Sequence, residues 1–274
     1  MHISVIISTY NSPVWLEKVL WGYNNQTHNN FELVIADDGS KNCTKDLIDS
    51  FRTEANYPIT HVWQEDNGFQ KSQILNKAIL QCKASYIIMS DGDCIPKSNF
   101  VEVHDSKKKE GYFLSGGYFK LSKQLSEQIS KKDIFSKNCF DIKWLKKNGL
   151  KKSFKNNKLS SKKIESEILN KTTPTKATWN GHNASGWKKD IIAVNGFDER
   201  MQYGGQDREL GERLFNFGIK SKQLRYSAIV IHLDHPRGYA NKESWKKNKE
   251  IRKYTRKNKI VNSPFGLIKH GSYT

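Results

Sequence analysis

Runs of apolar residues separated by amphipathic stretches mark the first ninety positions of the chain. Ile3–Ser8 (ISVIIS), Phe31–Ala36, Ile59–Val62 and Tyr86–Met89 are short, apolar and mostly β-branched, the pattern of strands buried on both faces of a parallel sheet. Val14–Tyr23, Thr44–Phe51 and Lys71–Gln81 read as helices between them, the first opened by Ser12 and Pro13. The third is helical by the spacing of Ile74 with Ala78 and of Leu75 with Ile79. Strand alternating with helix predicts an α/β fold built on a mostly parallel, doubly wound sheet. In such sheets ligands bind beyond the carboxyl ends of the strands.

The pattern changes at residues 120–176, which are rich in Lys, Ser and Asn with scattered Ile, Phe, Leu and Trp144. One or two amphipathic helices with a mobile basic loop are expected there. Order returns at Thr178–Trp187, Arg208–Phe217 reads as a helix stopped by Gly218, and Ser227–Ile231 as a last strand. From Lys242 to about Lys259 the tail follows a helical pattern. The chain thus divides into a first half (1–118), a Lys-rich insert (119–176), a second half (177–236) and a basic tail (237–274).

Composition narrows the class. With 274 residues, 36% apolar and 11% aromatic, the chain supports one large domain or two small ones and excludes disorder throughout. No apolar run approaches the roughly 20 residues that cross a bilayer, and Met1-His2 lacks the basic start of a signal peptide. Four cysteines without a CxxC pair suggest a reduced, cytoplasmic chain. The net charge of +18 is local: residues 131–176 hold 14 Lys against 4 acidic residues, and residues 237–274 hold 11 Lys and Arg against 2. The rest is nearly neutral, so two basic segments attach to a neutral body. Such segments bind polyanions or an anionic membrane surface, unless they only solubilise exposed faces.

Acidic residues cluster where ligands are expected. Asp91-Gly92-Asp93 follows a buried strand; its carboxylates can share a ribose and a divalent cation, and Gly92 lets the backbone approach closely. Asp38, in Asp37-Asp38-Gly39-Ser40, can accept from a uracil N3–H or a ribose hydroxyl, or the pair can make an ordinary capped turn. Gly204-Gly205-Gln206-Asp207 precedes a helix. Asp207 there can take a proton from a hydroxyl or act as a plain N-cap, and a helix N-terminus favours its ionised form. His232 and His235, three apart beside Asp234, have ligand-like spacing.

These motifs together resemble family 2 glycosyltransferases of the GT-A fold: Ser8-Thr9-Tyr10-Asn11, Asp37-Asp38-Gly39-Ser40 and Asp91-Gly92-Asp93 in order. Asn180–Ser185, Asn195-Gly196-Phe197-Asp198 and Tyr203–Leu210 are similar to the galactosyltransferase-type region of bacterial chondroitin-polymerase-like enzymes and β-1,4-galactosyltransferases. The resemblance covers roughly residues 1–118 and 177–236. It implies an inverting transfer from a UDP-sugar to a hydroxyl of a glycan or lipid-linked glycan in bacterial surface polysaccharide synthesis. Asp38 would bind the base; Thr9, Phe69, Lys71, Asp91 and Gly92 would contact the nucleotide; Tyr203 would be an aromatic platform. Asp207 would be the catalytic base, and Asp93 with His232 (alternatively His235) the metal ligands, a mixed set suiting Mn²⁺ better than Mg²⁺. Gln206 departs from the acidic residue usual before the base, and the Lys-rich insert has no counterpart. The basic segments would place the chain peripherally on the inner face of the membrane.

Two other readings compete. A nucleotidyltransferase shares the acidic α/β site but typically brings a Gly-rich phosphate loop, which Ser8–Asn11 is not. A basic nucleic-acid binder explains the charge but not four acidic motifs at strand ends; no nucleic-acid partner is expected.

Overall fold

The computed structural model describes residues 3–160, 162–236 and 242–268. Strands β1 (Ile3–Thr9), β2 (Phe31–Asp37), β3 (Ile59–Trp63) and β4 (Tyr86–Asp91) alternate with helices α1 (Pro13–Asn24), α2 (Asn42–Phe51) and α3 (Lys71–Gln81). These four strands pair in parallel, and their register sets Thr9 opposite Asp37 and Ser8 opposite Asp91. One carboxyl edge therefore collects the three polar motifs. Both faces are covered: Val5 and Ile7 join one apolar cluster and Ile6 the other, all fully buried. Each such side chain contributes about 1.5–3 kcal/mol.

Beyond β4 the sheet turns mixed. The chain continues through β5 (Cys94–Pro96), α4 (Phe100–Lys107) and β6 (Tyr112–Lys120), then α5 (Lys123–Gln128), α6 (Lys131–Phe135), α7 (Ile142–Lys147), α8 (Asn157–Ser160) and α9 (Lys163–Thr172). It returns through β7 (Asn183–Trp187), α10 (Lys188–Ala193), α11 (Gln206–Asn216), β8 (Lys220–His232) and α12 (Lys242–Lys257). The strand order is β3-β2-β1-β4-β7-β6-β8-β5. Asn183, where β7 begins, lies opposite Ser90 near the end of β4, so β7 runs antiparallel and starts at the ligand edge. β8 runs parallel to β6 and ends at His232, which faces Lys120 of β6 and Cys94 of β5.

Three sequence expectations change. β5, α4 and β6 lie where none was predicted, and β8 begins seven residues before Ser227. The insert is five short helices rather than one or two and a loop, because Leu125, Ile129, Ile134, Cys139 and Leu145 all enter the core that holds Val5. Among the described residues the four cysteines are free, and no helix is long and apolar enough to cross a membrane.

The tail helix is the third change: it packs on the body. Asn248 Nδ2 donates to the carbonyls of Gln202, Tyr203 and Gly204 at 2.9, 3.2 and 2.9 Å. Ser244 reaches Gln202, Arg252 pairs with Glu212, and Thr255 donates to buried Glu209. Trp245 stands edge-on to Tyr203, whereas Tyr254 stays 63% exposed. Residues 237–241 and 269–274 of the tail lie outside the described residues.

Asn248 is buried, and replacing it strands three carbonyls. Asn248→Ala should therefore destabilise the fold by about 1–3 kcal/mol. Calorimetric melting checks this; a melting temperature equal to wild type would mean that the tail merely rests on the surface.

Candidate functional site

A cavity of about 820 Å³ opens at the carboxyl edge of β1, β2 and β4, lined by Thr9, Asp38, Phe69, Lys71, Asp91 and Asp207 among others. Gly92, Asp93, Tyr203, His232 and His235 complete the set expected from sequence, so the fold brings every one of those residues to one place. Asp37 does not share it. Fully buried, it accepts from the Ser40 N–H at 2.8 Å and meets His61 at 2.9 Å, closing the turn that presents Asp38.

Asp38 accepts from Gln64 at 2.7 Å and from the Gln70 N–H at 2.9 Å. Burial pushes its carboxyl up to about 6 despite both hydrogen bonds. The next residue, Lys71, opens α3 and sends Nζ to Asp91 Oδ1 at 2.7 Å, where Ser8 Oγ also donates at 2.6 Å. Burial disfavours the ammonium, but the charges of Asp91 and Asp207 outweigh it and hold Lys71 protonated. Burial likewise opposes the Asp91 charge, and Lys71 wins, keeping that carboxyl ionised. A Cβ on Gly92 would lie 3.1 Å from the Ser8 carbonyl, which accepts the Gly92 N–H at 2.8 Å.

Asp93 faces two imidazoles. His235 Nε2 lies 2.8 Å and His232 Nε2 3.9 Å from its Oδ2, with the rings stacked nearly parallel, centroids 5.6 Å apart. Each Nδ1 is 2.8–2.9 Å from a backbone carbonyl, His232 from that of Leu233 and His235 from that of Pro236. A carbonyl can only accept, so each Nδ1 carries a proton, and Nε2 is the nitrogen turned to Asp93. Burial raises the Asp93 carboxyl, yet the His235 hydrogen bond and the histidine charges hold it well below the usual range. Ligand atoms of Asp93, Cys94 and His232 lie within 4.8 Å of one another. Burial drives the Cys94 thiol well above its ordinary value, so it stays a thiol and donates to Asp93 Oδ1 at 3.1 Å. In that group the Asp93 carboxylate and the His232 imidazole fit a divalent cation, with His235 hydrogen-bonded beside them.

Asp207 sits in the first turn of α11 without capping it. The N-cap is Gly205, and Asp207 Oδ1 is buried with no hydrogen-bond partner among the described residues. Burial pushes its carboxyl up to about 6, against the opposing pull of Lys71 and the Gly181 N–H. Desolvation thus outweighs the helix N-terminus. Gly204 and Gly205 are both left-handed, at φ 108° and 92°, and a Cβ on Gly204 would meet the Trp245 ring at 2.9 Å. Gln206 is turned to the same loop, its Oε1 accepting from the Gly204 N–H at 3.0 Å. Tyr203 bridges Phe69 and Trp245, each edge-on at 5.8 Å.

His182, Trp15 and Ser244 also line the cavity and were not singled out from sequence. His182 falls inside the Asn180–Ser185 motif, and burial holds its imidazole down to about 4. Ser244 had no local signal, because it reaches the site from the tail.

Comparison with known proteins gives the family and the fold of the chain. A family model described as "Glycosyl transferase family 2" matches residues 4–158. A hyaluronan synthase of Pasteurella multocida is 27% identical over 91% of this chain, and a chondroitin synthase of Escherichia coli 26% identical over 85%. The chain spans only 26% and 35% of those two relatives. A solved structure described as GalNAc-T7 with UDP, GalNAc and Mn²⁺ superposes with a TM-score of 0.63 at 14% identity, covering 92% of this chain and 48% of that one. That likeness places the mixed sheet in the GT-A fold.

Asp207 yields a two-sided prediction. Its folded-state carboxyl is raised from 3.8 to about 6, so its contribution to stability is complete below about 3.8 and is lost as pH rises through about 6. Asp207→Asn should therefore melt higher than wild type above about pH 6 and converge with it near pH 4, while turnover falls roughly 10²–10⁴-fold. Wild-type turnover should decline on the acid side around pH 6. Unchanged turnover in the variant would reduce Asp207 to a structural residue.

Proposed function

The chain belongs to glycosyl transferase family 2, and we propose that it moves a hexose or N-acetylhexosamine from a UDP-sugar to a hydroxyl of a glycan acceptor with inversion. The observation that carries the reading is the pairing, in one cavity, of a carboxylate raised to about 6, its Oδ1 without a partner among the described residues, with a carboxylate–imidazole cluster. Asp207 removes the acceptor proton, for which a carboxyl near neutrality is suited. Asp38 takes the base N3–H on a lone pair left by Gln64 and Gln70, and Asp91, fixed by Ser8 and Lys71, meets the ribose. Thr9 Oγ1 is buried without a partner among the described residues and lines the nucleotide side with Gly92. Phe69 and Tyr203 give the sugar an apolar wall.

A divalent cation would be held by Asp93 with His232 (alternatively His235), and when bound it neutralises charge on the leaving diphosphate. The oxygen and nitrogen donors suit Mn²⁺ better than Mg²⁺. The similar solved structure with UDP and Mn²⁺ supports this donor and ion.

The acceptor belongs to bacterial surface polysaccharide or a lipid-linked oligosaccharide, in line with relatives named for polysaccharide synthesis. The insert, with exposed Phe154 and Ile164 among its lysines, docks the enzyme peripherally on the cytoplasmic face of an anionic membrane. Neither alternative reading is supported by the family match.

A panel of UDP-sugars with Mn²⁺, reading released UDP, identifies the donor. Asp93→Ala should abolish turnover and Mn²⁺-dependent UDP binding while leaving the melting profile intact. Turnover that survives in wild type with excess chelator would sink the metal assignment.

A further inference from the structure

A second cavity, of about 420 Å³, is lined by Tyr118, Lys120, Ser122, Lys155, Lys158 and Arg225. The fold builds it with a bulge. β6 and β8 pair in parallel, but their register jumps between Gly116, opposite Leu224, and Gly117, opposite Ile229. Residues 225–228 therefore loop out of the ladder, as bulged residues do when a strand re-aims a side chain. The Arg225 carbonyl comes so close that a Cβ on Gly117 would lie 2.1 Å from it, so only glycine fits there.

The charges in this cavity do not balance. Lys120 is paired with Asp234 at 2.8 Å. Among the described residues, no carboxylate lies within 4 Å of the Lys155, Lys158 or Arg225 nitrogens. Lys158 Nζ is fixed instead by the Tyr118 carbonyl at 3.0 Å and stands 5.2 Å from the centre of its ring. Burial, then Arg225, then Lys155 pull its ammonium down to about 8. Three cations held together without a counter-charge call for an anion.

Tyr118 also sets where that anion would sit. Its ring is edge-on to His182 at 4.8 Å and 5.8 Å from His232, both lining the large cavity. Tyr118 thus lines the second cavity while packing on two side chains that line the first. The basic one is thus a neighbour of the reaction centre, distinct from the carboxylate–imidazole cluster assigned to the donor diphosphate.

We propose that the cavity framed by Lys155, Lys158 and Arg225 binds a phosphate ester carried by the acceptor, an inference that rests on the transferase reading. A phosphate ester supplies up to two negative charges and three acceptor oxygens; the Arg225 guanidinium can engage it in a fork and the lysines as point charges. Bound there, it holds the acceptor beside Tyr118 with its sugar hydroxyl toward Asp207. The phosphate can belong to a soluble glycan or to a lipid anchor, and Phe154, 85% exposed and next to Lys155, would meet the latter's chain.

The test titrates methyl phosphate into the protein with UDP and Mn²⁺ saturating, by ³¹P NMR. Wild type should bind saturably, and Lys158→Gln/Arg225→Gln should bind about a hundredfold or more weakly, the loss expected of two charge-assisted hydrogen bonds. UDP affinity and slow UDP-sugar hydrolysis should not change. If the double variant fails to fold, Lys155→Gln, on an exposed side chain, gives the same comparison. Absence of saturable binding to wild type, or equal binding by folded variants, overturns the proposal. The transferase reading fails separately, through absent UDP-sugar turnover. Neutral vesicles with and without polyprenyl phosphate then separate the two sources. Sedimentation that needs the polyprenyl phosphate, and falls in Phe154→Ser, marks a lipid-borne group; methyl phosphate binding without it marks a soluble one.

Discussion

Four carboxylates meet at one edge of this sheet, and the Lys71 ammonium is what lets them do so. Asp38, Asp91, Asp93 and Asp207 line a single cavity, and burial opposes the charge of each. Without a cation among them the cheapest response would be protonation. Lys71, held by the first turn of α3, offsets Asp91 directly and Asp207 at a distance. The histidines do the same for Asp93. The result is a graded set: Asp91 and Asp93 firmly ionised, Asp38 and Asp207 raised to about 6. Groups sharing a site but pushed apart in this way can divide the work of binding charge and moving protons.

Around that set the molecule is fastened from its distal side. Arg213, fully buried, pairs with Glu209 at 2.9 Å and reaches the Val194 and Gly196 carbonyls. Glu209 in turn accepts from Thr255 of α12 at 2.9 Å. The left-handed Gly204–Gly205 turn lies between this buried pair and Asn248, so Asp207 is positioned by contacts on both sides. Removing one partner of a buried pair leaves an uncompensated charge, which makes this framework sensitive to substitution well away from the cavity.

The four parallel strands and the helices between them were legible to within about two residues. Ile3–Ser8 became Ile3–Thr9 and Phe31–Ala36 became Phe31–Asp37, because fully buried parallel strands leave unbroken apolar runs. The site was legible because its residues sit in short motifs at those strand ends. β6 was hidden by Gly116-Gly117 in its middle, needed where β8 bulges, and the first half of β8 by its polar sequence KSKQLRYS. The pairing of Lys71 with Asp91 and the splitting of Asp37 from Asp38 depend on side-chain reach across strands. Local pattern carries no record of that. The tail misled for another reason: Asn248, Ser244 and Thr255 are polar, and polar residues that satisfy buried carbonyls look like surface until the partner is seen.

The Asn248 bridge has a consequence in time. On the ribosome, β1 to β4 can pair as soon as they emerge, since their partners are close in sequence. The turn that carries Asp207 cannot settle until α12 arrives, about fifty residues later. At roughly 5–20 residues per second that is a delay of about 3–10 s. Throughout it the nascent protein would hold a formed sheet edge beside an unset Asp207 turn, and that turn would settle only after the helix closed over the glycines.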